Sequence, residues 1–160
     1  VTQYFENRRE EEELLLRFFA FVDCYPNYNQ VESKGVAKYL DSYLEKKNTS
    51  FTEQERTDKT KAFNMMVDFI TRTYPNQGFA KKPGTRGISK PYFEGIAIGS
   101  YLALKEKPNI AASIPDSLIV DKENRNDFYK SIEGRYKTHT SQKIFSRINI
   151  VKEAFLHGTK

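Results

Sequence analysis

Residues 8–23 read RREEEELLLRFFAFVD, and this stretch decides the fold. Glu10 to Glu13 come first, where an α-helix presents the positive end of its dipole. Glu13 stands four residues ahead of Arg17, the favourable order for an ion pair along a helix. Leu14, Leu15, Phe18, Phe19, Phe21 and Val22 then take up most of the circumference, leaving a narrow polar strip at Arg17, Ala20 and Asp23. A helix that is apolar over so much of its surface needs other helices around it. The spacing predicts an all-α fold, a compact bundle of about six helices around this central, aromatic-rich one.

Outward from there, CYPNYNQ interrupts the pattern. A second helix is predicted from about Lys34 to Lys47, with Val36, Leu40, Tyr43 and Leu44 on one face. Thr52-Glu53-Gln54-Glu55 has the form of a capping box, in which the threonine hydroxyl takes a free backbone N–H and the glutamate reaches back. Phe63, Met66, Val67, Ile70 and Tyr74 recur at helical spacing until Pro75 stops that helix. Residues 75–90, PNQGFAKKPGTRGISK, form one long loop whose glycines match neither a P-loop nor a dinucleotide fingerprint. Ser89 and Pro91 open a helix to about Lys105. Gly95 and Gly99 within it, four apart, let a neighbouring helix approach closely. A polar helix is expected over 122–134. Thr140 or Ser141 then caps a last helix that turns Ile144, Ile148, Val151 and Phe155 inward. No stretch alternates long enough to predict a strand.

The chain has 160 residues, enough for one domain with a real core, and its hydrophobic 38% includes 12 Phe and 10 Tyr, so aromatic rings should be wedged between the helices. Charged residues make up 29%, and no apolar run approaches the ~20 residues that cross a bilayer, so no membrane partner is expected. Cys24 is the only cysteine, which excludes an internal disulfide and the usual cysteine-based zinc sites. VTQYFENRRE at the start carries no secretory pattern and no initiator methionine; the expectation is a cytoplasmic fragment of a longer, multidomain protein. The net charge of +5 divides into −2 before residue 81 and +7 from there on. A basic half is the footprint of a phosphate-rich partner, although a solvated surface explains it as well.

His139 and His157 are the only histidines, and the sequence holds no HExxH, no EF-hand string and no Cys/His cluster. No catalytic residue, metal ligand or cofactor is therefore expected in this chain. The polar group that stands out is Arg135, Lys137, Thr138, Thr140, Ser141, Lys143 and Arg147, around the start of the last helix. Free N–H groups, hydroxyls and cations together could hold a phosphate of DNA or of a nucleotide. The alternative is that Ser141 merely caps and the charges are solvated.

ELLLRFFAFVDCYPNY followed by VAKYLDSYLEKKN resembles the helical second half of the GmrSD restriction endonuclease N-terminal domain family, with its embedded arginine and tyrosine-rich turn. KAFNMMVDFITRTYPNQGF, KPYFEGIAIGSYLAL and HTSQKIFSRINIVKEAF, the last with its Thr-Ser start and Arg147-Ile148 pair, resemble that family's next helices in order. The resemblance implies a helical module of a modification-dependent restriction and phage-defence protein. Nucleotide hydrolysis, with nucleotide and Mg, would belong to an N-terminal ParB-like nucleotide-binding domain marked by an Asp-Gly-Gln-Gln-Arg string, and DNA cleavage to an HNH-type nuclease domain. This chain has neither motif, so the resemblance carries over no catalytic residue. The partners it implies are those two domains, or DNA held weakly through phosphates. The competing expectation is a non-catalytic helical scaffold or protein-interaction domain.

Overall fold

The structure, a computed structural model, describes every residue except 1, 86, 124, 135–137 and 159–160, with side chains described from Arg8 onward. It is an all-α bundle. The helices are α1 (Thr2–Cys24), α2 (Asn29–Lys34), α3 (Val36–Ser50), α4 (Glu53–Thr73), α5 (Lys90–Phe93), α6 (Gly99–Glu106), α7 (Asp127–Ile132) and α8 (Ser141–His157). A π-helical segment, Glu94–Ile98, joins α5 to α6 without a break, so residues 90–106 form one rod; a short 3₁₀ turn covers Asp116–Leu118. Among the described residues there is no strand.

The rod lies in the middle, with α8 along one side and α1 and α4 on others, while α7 and the 3₁₀ turn cover α8 and the α2–α3 pair flanks α1. Every residue from Tyr92 to Ser100 is buried. The two glycines explain how so much backbone is enclosed. A Cβ on Gly99 would stand 2.6 Å from Val151 Cβ and 2.7 Å from the Ile148 carbonyl oxygen; one on Gly95 would stand 3.0 Å from the Phe128 ring and 3.3 Å from the Arg147 carbonyl oxygen. Their missing side chains let the rod press against the backbone of α8, the close approach the spacing predicts.

α1 contributes Leu14, Phe18, Ala20 and Phe21 to the core. Phe18, fully buried, meets Phe19, Phe63 and Tyr101 edge-on at 5.4, 5.7 and 5.6 Å between ring centres, an arrangement aromatic quadrupoles favour. Farther along, Phe69 and Phe155 meet at 5.1 Å, and the Tyr28 hydroxyl donates to the Phe21 carbonyl at 2.8 Å. The polar strip expected on α1 is turned round. Arg17 and Ala20 are buried and Leu15 is exposed, because the Arg17 charge finds carboxylates inside the bundle.

Four local expectations need revision. α1 begins at Thr2, so Glu10 to Glu13 lie more than two turns inside the helix rather than at the positive end of its dipole. The Thr52 hydroxyl accepts from the Glu55 N–H at 3.1 Å, but the Glu55 carboxylate pairs with Lys47 at 2.5 Å, so half the capping box forms. Ser89 makes no side-chain cap before α5. α7 starts at Asp127, later than the pattern implies, since Asn126 accepts from the Tyr129 N–H at 2.7 Å and sets the start of the helix.

The Gly99 contact generates a test. Gly99→Ala should lower unfolding free energy by roughly 1–3 kcal/mol or more in urea titration, since the new methyl meets backbone oxygen as well as a side chain. If the variant proves as stable as the parent chain, α8 does not sit against the rod at this distance.

Candidate functional site

Arg17 in ELLLRFF, Glu94 in KPYFEGI and Arg147 in SRINI lie far apart in sequence, each among apolar neighbours. In the folded chain they meet. Arg17 Nη1 donates to Glu94 Oε1 and Arg147 Nη1 to Glu94 Oε2, while Arg147 Nη2 donates to the Thr138 carbonyl oxygen. Glu94 and Arg147 have no exposed surface, and Arg17 keeps 4%. One carboxylate thus joins α1 and α8 through the first residue of the π-helical segment. Such segments are often found at functional positions in helices.

Glu13 stands at the outer edge of this cluster, accepting from Arg17 Nη2 at 2.8 Å and pairing with Lys90 Nζ at 2.9 Å. Burial works to raise the Glu13 carboxyl, but hydrogen bonds from Lys90 and Arg17 outweigh it and hold the group below its ordinary value. For Arg147, burial lowers the guanidinium from its ordinary value against the pull of Glu94. Arg147 Nε is buried with no acceptor among the described residues. His139, in the turn before α8, is lowered by partial burial; Glu94 opposes that shift, and Arg17, Arg147 and Lys90 reinforce it.

The residues proposed from sequence to hold a phosphate divide into separate groups. Arg135 and Lys137 lie outside the described residues. Thr138 lends its carbonyl to Arg147, and its hydroxyl lies 3.4 Å from His139 Nε2. Thr140 is the N-cap of α8, its hydroxyl accepting from the Lys143 N–H at 3.3 Å. The Ser141 N–H donates to Glu32 Oε2 at 2.7 Å, and its hydroxyl donates to Asn29 Oδ1 at 3.0 Å. The anion at the start of α8 is therefore supplied by the chain itself. Lys143 is half-buried and pairs with no carboxylate among the described residues. Arg147, enclosed against Glu94, is turned away from any phosphate at the surface.

Sequence reasoning overlooked Glu94. Its signal was a lone carboxylate inside PYFEGIAIG, where a buried charge needs an opposite charge, and two arginines sit in similarly apolar runs. Chemically, both carboxylate oxygens already accept from guanidinium groups, an arrangement suited to clamping helices together. Among the described residues no three His, Cys, Asp or Glu side chains converge on one point. Comparison of the chain with family models, curated proteins and solved structures finds no match.

Two outcomes follow from the geometry. Glu94→Gln leaves the Arg147 guanidinium buried without a counter-charge and Arg17 with Glu13 alone, so it should cost about 3–5 kcal/mol in denaturant unfolding. Replacing Arg17, Glu94 and Arg147 together by apolar residues of similar volume should restore most of that stability. The Glu13 carboxyl is lower in the folded state than in the unfolded state, so its stabilisation is present above the ordinary value of 4.5 and is lost as pH falls through the folded value. Thermal melts from about pH 5 down to pH 3 should show a shallower loss for Glu13→Gln than for the parent chain.

Proposed function

We propose that this chain is the helical module of a GmrSD-like modification-dependent restriction protein of phage defence. In this reading, nucleotide hydrolysis and DNA cleavage are carried out by the ParB-like and HNH-type domains of the parent, and the module supports the nucleotide-binding domain. The observation that carries it is the convergence of Arg17, Glu94 and Arg147. These are the buried charged residues inside three of the stretches that resemble the family, and Glu94 holds both arginines in place.

DNA contact, in this reading, goes to phosphates through basic side chains of residues 81–160, with Lys143 in place of Arg147 as the cation nearest the start of α8. The occupied N-terminus of α8 favours the second reading, a helical scaffold or protein-interaction domain with no nucleic-acid role.

Anisotropy titration with duplex DNA separates them. The first reading expects binding that falls roughly tenfold between 50 and 200 mM salt for about two neutralised phosphates, varies little with sequence, and weakens on Lys143→Glu. The chain alone should turn over neither ATP, GTP nor plasmid DNA with magnesium. Absence of DNA binding at low salt would favour the scaffold, and turnover by the purified chain would remove both readings.

A further inference from the structure

Along the outer side of α1, the α3 and α4 helices diverge from the Phe51–Thr52 turn and leave a groove of about 460 Å³. Leu16 and Phe19 of α1 form part of its lining, with Leu44 and Phe51, which are 46% and 47% exposed. Exposed apolar side chains gathered into one concave patch mark an interaction surface far more often than the same residues scattered singly. The groove is also one-sided in charge. Lys47, Arg56 and Lys59 line it, and no Asp or Glu does. Lys47 and Lys59 reach Glu55 and Asp23 behind the groove, whereas Arg56 has no ion-pair partner among the described residues. The occupant this surface fits is an apolar knob accompanied by carboxylates.

α1 carries such a knob beside the groove. Leu15 is 39% exposed, and Glu11 and Glu12, both exposed, lie one turn before it on adjoining rows of the helix. Among the described residues Glu12 pairs with Arg8 alone, in an exposed pair of 3.1 Å that a better partner can displace. We propose that the groove between α1, α3 and α4 is the contact between two copies of this chain, related by a two-fold axis that passes α1 between Leu15 and Leu16.

The register is fixed by arithmetic along one helix. Glu12 and Phe19 are equally far from the point between residues 15 and 16, and about 10 Å apart at 1.5 Å per residue. Two α1 helices crossing antiparallel at that point bring Glu12 of one copy over Phe19 of the other, where Arg56 lines the same groove. Leu15 and Leu16 of both copies meet at the axis, and Leu44 and Phe51 close over them. The contact is isologous: each copy gives the knob and receives it, so the assembly closes at two and leaves no unpaired groove.

Sedimentation velocity of the 160-residue chain, over about a hundredfold range of concentration, reads the association directly. The mass should rise from 18.7 kDa towards twice that value. Leu44→Asp should raise the dissociation constant at least about tenfold. Glu12→Arg and Arg56→Glu should each weaken the dimer by placing like charges at both symmetric sites, and the chain carrying both reversals should regain it. All these positions are exposed, so circular-dichroism melts matching the parent chain separate lost association from lost folding. A chain that stays at 18.7 kDa throughout overturns the proposal and leaves the groove to a different partner. A dimer indifferent to Leu44→Asp, or charge reversals that fail to rescue one another, overturns it as well.

Discussion

The constraint on which the rest of the structure depends is the enclosure of the Glu94 carboxylate between two guanidiniums. A lone ion in a helical interior would cost several kcal/mol after all relaxation, and Glu94 with Arg17 and Arg147 avoids that cost only while all three keep their geometry. Rotating α1 by one residue, or sliding α8 by one turn, would leave a charge unpaired inside the bundle. Apolar contacts tolerate such slips, because one leucine can replace another against a ring. The ionic cluster does not, so it sets the register of three helices that the aromatic core then fills.

The same residue that grips Glu94 with its side chain also meets the rod with its backbone. The Arg147 carbonyl oxygen lies against Gly95, and the Ile148 carbonyl oxygen lies against Gly99. Larger residues at 95 and 99 would push α8 outward and carry the Arg147 guanidinium away from Glu94. The widened π-helical turn begins at Glu94 itself, takes in Gly95 and ends just before Gly99. Close backbone approach and charge pairing are thus one arrangement: the glycines admit α8, and the carboxylate holds it at a defined height.

Much of this could be read from the sequence, for reasons that particular residues make clear. Thr52 and Thr140 cap helices because a short hydroxyl before an apolar-periodic run has few other uses, and Gly95 with Gly99 announces a close neighbour by spacing alone. What could not be read required knowledge of partners distant in the chain. A helical wheel counts Arg17 as polar and places it outward; its buried position follows only from Glu94, 77 residues away. The start of α8 looks like an open anion site until Glu32, 109 residues earlier, is seen to fill it. Local patterns encode local structure, whereas the identity of a counter-ion is a property of the fold.

That distinction bears on the charge asymmetry as well. The second half of the chain holds the excess of cations, yet folding spends several of them: Lys90 crosses to Glu13, Arg147 to Glu94, Lys81 to Glu133 and Lys152 to Glu106. Arg17 of the acidic half crosses in the other direction. An excess counted along the sequence is therefore not by itself a patch in space. Among the described residues, exposed cations such as Lys105, Lys107, Lys122 and Arg125 are left for a phosphate-bearing partner, each contact adding its own increment. The α1–α3–α4 side differs in kind. There an apolar floor, three cations on its walls and a carboxylate-flanked leucine beside it lie within one surface, and complementarity of shape and charge in the same place gives a protein contact its specificity.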